Sequence, residues 1–199
     1  RKGDPVITYV ARNLEPYRGF HVMMRALEKI QRQHPTCHMI IVGGDDVSYG
    51  SKPKDALNWR EKMLKEVKID PQRTHFMGKV PYAVYCTILQ VSAAHLYLSY
   101  PFVLSWSMLE AMATACLLIG SRTRPVEEAL THQHTGLLVD FFDTEQICQT
   151  VIGALTHPEQ YAHLRKNARA HAIANYSFAK GEQAYRNLLH QLLKPQGSI

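Results

Sequence analysis

A short apolar run followed by a segment of helical period recurs between residues 6 and 155. Residues 6–11, V-I-T-Y-V-A, and 38–42, H-M-I-I-V, are apolar and rich in β-branched side chains, a pattern that suits strands buried on both faces. Phe20, Met23, Met24, Leu27 and Ile30 then return at three- and four-residue intervals, which predicts a helix closed by Pro35. Strands are predicted again over 74–77, 94–100, 117–120 and 137–139. Helices are predicted over 55–67, 82–91, from about Ser107 to Cys116, and over 144–155. Two more, over 158–175 and 177–193, close the chain, with Thr144 and Ser177 as N-caps. Parallel strands need long crossovers, usually helical, so this alternation predicts an α/β fold: an open parallel sheet with helices on both faces.

Ligands of such sheets sit in the crevice beyond the carboxyl ends of the strands. The stretch over 100–116, Y-P-F-V-L-S-W-S-M-L-E-A-M-A-T-A-C, passes from strand through loop to helix at such an end. Its first helical turn offers unpaired N–H groups, and phosphate is the fitting guest. Glu110 is the one charge there; Ser107-x-x-Glu110 fits a capping box, which gives the carboxylate a structural reading. Arg12 leaves the first strand and Arg18 precedes the first helix, so a turn between them aims both at one crevice; as isolated residues they read as solvated surface charges. Gly43 and Gly44 end the second strand and permit close approach of backbone to a ligand.

No metal is expected. Asp45-Asp46 reads as a turn former, and His132-x-His134 lacks a third ligand. Cys37, Cys86, Cys116 and Cys148 lie far apart without C-x-x-C spacing, as reduced thiols of a cytosolic protein do. The 199 residues suit one domain, and a net charge of +6 favours an anionic partner. The basic residues are scattered, which disfavours nucleic acid. G-x-G-x-x-G and Walker A patterns are absent. The chain starts at Arg1 with no leader and no apolar run long enough to span a bilayer, so a domain cut from a longer protein is expected.

The motifs R-x5-R-G, the G-G turn, G-K-V-P, S-M-L-E-A-M-A and T-G-L-L-V occur in an order that resembles the nucleotide-sugar-binding half of the retaining GT-B glycosyltransferases of family 4. The resemblance covers nearly the whole chain. It implies a Rossmann-like, C-terminal donor-binding domain over 1–199, lacking the N-terminal acceptor domain that the same polypeptide supplies in the family. Residue by residue, it implies that Arg12 and Arg18 bind the donor diphosphate and that Gly78, Lys79 and Val80 frame the base. Glu110 would bind the ribose hydroxyls, and the loop from Leu104 through Ser105 and Trp106 to Ser107 would offer its amides to the diphosphate. Phe102 falls where the first Glu of an E-x7-E pattern stands and contacts the donor sugar. The resemblance alone implies a turn and short helix over 121–130, where Pro125 and Glu128 occupy a P-x-x-E pattern, and Glu128 is read as structural, near a helix start.

The implied reaction is retaining transfer of a sugar from a nucleoside diphosphate sugar to an acceptor hydroxyl, without a metal or other cofactor. A cytoplasmic protein of cell-surface polysaccharide biosynthesis is implied, with room for peripheral membrane contact through the other half. An epimerase or phosphorylase of the same fold, or a non-catalytic nucleotide-sugar-binding module, is the alternative. The family packs its last helix on the acceptor domain, so Tyr185, Leu188, Leu189 and Leu192 are expected to be poorly packed in this chain or docked on a neighbour.

Overall fold

Six strands form one parallel sheet in the computed structural model, which describes residues 3–193; Arg1 lies outside them. They are β1 (Val6–Asn13), β2 (His38–Gly44), β3 (Thr74–Gly78), β4 (Ala94–Tyr97), β5 (Leu118–Ser121) and β6 (Leu137–Val139), in the order β3-β2-β1-β4-β5-β6. All neighbouring pairs are parallel. The order reverses between β1 and β4, so the crevice for ligands opens where the loops after these two strands part.

The helices are α1 (Phe20–Gln33), α2 (Trp59–Glu66), α3 (Tyr82–Gln90), α4 (Trp106–Ala113), α5 (Arg124–Glu127), α6 (Thr144–Thr156), α7 (Ala162–Tyr176) and α8 (Phe178–Leu193). Side chains alternate across a strand, and the core divides accordingly. Leu96, Ile119 and Val139 point to one face and pack with α1 and α6, whereas Tyr97, Leu118 and Leu138 point to the other and pack with α3, α4 and α7. The open parallel sheet with helices on both sides is therefore as the alternation of the sequence predicts.

Boundaries moved where side chains compete with backbone pairing. The strand expected over 94–100 ends at Tyr97, because Ser99 N–H turns to Ser121 Oγ at 3.0 Å and that hydroxyl donates back to Ser99 O at 2.9 Å. Helix α2 begins at Trp59 rather than residue 55, since Asn58 Oδ1 accepts from Glu61 N–H at 2.8 Å and fixes the cap there. Asp143, not Thr144, caps α6, with Oδ1 accepting from Glu145 and Gln146 N–H. Ser177 precedes α8, and its Oγ accepts from Lys180 N–H at 3.4 Å. Glu128 follows α5 instead of opening it.

Helix α8 contains no buried residue. Tyr185 is 65% and Leu192 72% exposed, with Leu188 and Leu189 also open to solvent, so the apolar stripe faces water. Among the described residues, no helix is long and apolar enough to cross a membrane.

Candidate functional site

The loop after β1 turns through a single 3₁₀ turn, Pro16–Arg18, whose last carbonyl accepts from Tyr9 Oη at 2.7 Å. Gly19 ends the turn at φ 74°, a left-handed conformation that glycine adopts without steric cost. A Cβ there would lie 2.4 Å from Leu98 Cβ, so the loops after β1 and β4 touch at this glycine.

The turn drives the Arg18 side chain inward, where it is only 7% exposed. Its Nη1 donates to Val103 O at 2.9 Å, Ser99 Oγ at 3.1 Å and Tyr97 Oη at 3.4 Å. The guanidinium carbon lies 5.2 Å from the Phe102 ring centroid and 5.4 Å from that of Tyr49. Among the described residues, no carboxylate comes within ion-pair distance of it. A cation withdrawn from water and bonded only to neutral groups keeps its charge uncompensated, a costly state that an incoming anion relieves. Burial raises the pKa of Tyr97, against the pull of the Ser105 N–H and of Arg18, so its oxygen serves both as a neutral phenol.

A cavity of about 710 Å³ opens at the carboxyl ends of β1 and β2. Ala11, Arg12, Val42, Gly43, Lys79, Val80, Tyr82 and Tyr85 line it. Arg12 is exposed and makes no hydrogen bond or ion pair among the described residues. Lys79 Nζ lies 3.8 Å from an Asp46 carboxylate oxygen, with both side chains mostly in water, where such a pair contributes little. A Cβ on Gly43 would meet Ala11 O at 2.7 Å, so the backbone excludes a side chain there, whereas one on Gly44 would meet side-chain atoms, Asn13 Oδ1 and Lys79 Cε, at 2.6 Å. Gly78 has no atom near its missing Cβ, and its φ of 64° is what calls for glycine.

Glu110 is not part of a capping box. Ser105 caps α4, Met108 stands at the third helical position, and Glu110 lies two residues further on. Its carboxylate accepts from Tyr85 Oη at 2.8 Å and Tyr82 Oη at 3.2 Å, both from the cavity wall. Burial first, and then Glu110, push the Tyr85 pKa up. Tyr82 is pushed up to about 12 by the Cys86 thiol and by Glu110.

Of the residues singled out in the sequence, the cavity thus gathers Arg12, Gly43, Lys79 and Val80, and Glu110 joins them through the two tyrosines. Gly44 and Gly78 do not line it. Arg18 and Phe102 form a neighbouring cluster. The expected row of free amides over 104–107 is half used: Ser105 N–H donates to Tyr97 Oη at 2.8 Å and Ser107 N–H to Ser105 Oγ at 3.4 Å. Leu104 is half-buried against the apolar core, and Trp106 is 81% exposed. His132 Nδ1 accepts from Leu138 N–H, a structural use. No group of three or more metal-ligating side chains occurs among the described residues.

Glu15 is the residue that the sequence reading misses. It is fully buried, and its carboxylate accepts from Ser48, Tyr49 and Gly50 N–H at 3.0 to 3.3 Å. Its partners are more than thirty residues away, and a Glu between Leu14 and Pro16 reads as a loop charge. Tyr49, Tyr97 and Ser99 were equally hidden in apolar or loop context.

An open parallel sheet of this strand order with helices on both faces is Rossmann-like, and it matches one half of GT-B proteins of known structure. The chain belongs to the glycosyl transferases group 1 family, which it matches over residues 1–171. It is 24% identical to YtcC of Bacillus subtilis (strain 168), which carries a provisional glycosyltransferase name, over 97% of this chain and 47% of that protein. It superposes on Anabaena Alr3699/HepE in complex with UDP-glucose with a TM-score of 0.80 at 17% identity, covering 95% of this chain and 49% of that one. The C-terminal domain of the Francisella tularensis glycosyl transferase group 1 protein LpcC gives 0.72 at 16% identity, covering 89% and 90%. The chain therefore spans about half the length of YtcC and of HepE.

Proposed function

We propose that this chain is the donor-binding half of a retaining family 4 glycosyltransferase, moving a sugar from a nucleoside diphosphate sugar to an acceptor hydroxyl. The observation that carries the reading is Arg18, a buried guanidinium with neutral partners only, at the reversal of strand order. In this reading the nucleoside fills the cavity beside Gly43, Lys79 and Val80, and Glu110 takes the ribose hydroxyls. The diphosphate spans Arg12 and Arg18. A nucleotide-sugar complex of HepE, a structural neighbour, supports the choice of ligand.

Breaking the anomeric C–O bond leaves negative charge on the departing diphosphate. Arg12 and Arg18 meet that charge as it develops, where low dielectric makes their attraction strong, and the reading calls for no metal. With no carboxylate pair for a double displacement, the acceptor attacks the face that the diphosphate leaves, and the departing phosphate takes the acceptor's proton. The acceptor wall belongs to an upstream domain of the same polypeptide, so the 199 residues alone bind donor weakly and transfer no sugar. A cytoplasmic setting, with peripheral membrane contact through that upstream half and a role in cell-surface polysaccharide synthesis, belongs to the same proposal.

Calorimetric titration with UDP, GDP and ADP, each against its monophosphate, tests the reading. One diphosphate should bind about tenfold or more tighter than its monophosphate, and Arg12→Ala should narrow that ratio. Equal affinities for di- and monophosphate in the wild-type chain would overturn it.

A further inference from the structure

The wall next to Arg18 is made of three aromatic rings. Phe102 stands in the middle, 4.9 Å from the Tyr49 centroid and 5.8 Å from that of Tyr17, with edge-on geometry at both contacts. Tyr17 and Tyr49 are 37% and 40% exposed, and Phe102 is partly so, so the rings present a surface as well as covering the guanidinium. Their placement is fixed from below. The buried Glu15 carboxylate holds the three successive amides of Ser48, Tyr49 and Gly50, and Asn13 Nδ2 donates to Ser48 Oγ at 2.8 Å. Gly50 lies directly over Tyr17, whose ring is 3.4 Å from where its Cβ would be. The loop that carries Tyr49 is thus clamped onto the loop that carries Tyr17 and Arg18.

If the diphosphate runs from Arg12 to Arg18 with the nucleoside in the cavity on the Arg12 side, the group on the far phosphate leaves on the Arg18 side. There it meets Phe102, the one ring of the three without a hydroxyl, while the neighbouring acceptors Val103 O and Ser99 Oγ are held by Arg18. A sugar hydroxyl pressed on that ring surrenders water without a replacement bond, whereas a methyl group gains from the same burial. We propose that the ring wall centred on Phe102 determines the donor sugar, and that this sugar bears a methyl group, as an acetamido or 6-deoxy substituent, in preference to a fully hydroxylated hexose. The proposal rests on the reading of Arg12 and Arg18 as the diphosphate site.

Calorimetry on the 199-residue chain with two matched pairs, UDP-N-acetylglucosamine against UDP-glucose and GDP-rhamnose against GDP-mannose, tests it, with UDP and GDP as references. In the pair whose base is bound, the methyl-bearing sugar should bind about fivefold or more tighter. Phe102→Gln supplies a neutral hydrogen-bonding group without adding a charge beside Arg18. It should abolish that preference, read as the ratio of the two sugars' affinities within the same variant, and Phe102→Ser should act likewise should the glutamine variant fail to fold. A wild-type chain that binds both sugars of the pair equally, or a preference that survives both substitutions, overturns the proposal alone. Failure of UDP and GDP alike to bind overturns it through the reading beneath it.

Discussion

Arg73 and Arg18 lie at opposite ends of the parallel sheet, and both are largely withdrawn from water. Arg73, just before β3, donates through Nε to Asp70 Oδ2 at 2.7 Å and through its terminal nitrogens to the carbonyls of Gln31, His34 and Cys37. Its charge is met by a carboxylate and its hydrogen bonds stitch α1 and the start of β2 to β3. Arg165 behaves similarly at the amino end of β4, donating to Ser92 and Ala93 carbonyls. At the carboxyl end, Arg18 has only neutral acceptors and Arg12 has none. Burial therefore does not separate Arg18 from Arg73, whereas the Asp70 carboxylate does; Arg165, with neutral acceptors too, differs from Arg18 in lying at the amino end of the sheet.

Four substitutions test the contrast. Acid should give the largest effect. His95 is fully buried beside Thr8, and burial holds its pKa at about 4, against an ordinary 6.5 in the unfolded chain. The unfolded state therefore takes up the proton first, so stability is full above pH 6.5 and falls as the pH drops towards 4. The loss is on the order of 3 kcal/mol, and His95→Gln should remove that share of the acid sensitivity in urea unfolding curves. Next, Arg18→Ala should weaken nucleoside diphosphate binding by about 1.5 to 3 kcal/mol, with less effect on the monophosphate. An unchanged diphosphate affinity in a folded variant would place Arg18 with Arg73. Arg73→Lys, which keeps the charge but loses the planar fork, should cost about 1 to 1.5 kcal/mol of stability and leave nucleotide affinity alone. Smallest, Glu110→Gln should cost about 0.5 to 1.5 kcal/mol of nucleotide affinity, with a 2′- or 3′-deoxy nucleotide losing less than its parent. Equal losses for both would argue that Glu110 only positions Tyr82 and Tyr85.

The sheet was legible because short apolar runs and segments of period 3.6 alternate from Val6 onward, and parallel strands leave few other arrangements. Arg12 and Arg18 were placed near one crevice by the same logic. What the sequence concealed were decisions made between distant side chains. Ser107-x-x-Glu110 has capping-box spacing, yet Ser105, two residues earlier, won the cap, and the tyrosines of α3 claimed the carboxylate. Ser99 left the strand for Ser121, which no local pattern announces. Glu15 is the extreme case, since its role depends wholly on three amides of another loop.

Gly19 sets a limit of another kind. Any side chain there would overlap Leu98, and the end of the turn that buries Arg18 meets the chain leading to Ser99 at this contact. Every single-base change in a glycine codon that alters the amino acid adds at least a Cβ. Under the proposed role of the ring wall, descendants of this gene can exchange the rings over Arg18, and with them the sugar, but have no small step available at the joint beneath. Specificity here can drift while the gap between the two loops cannot.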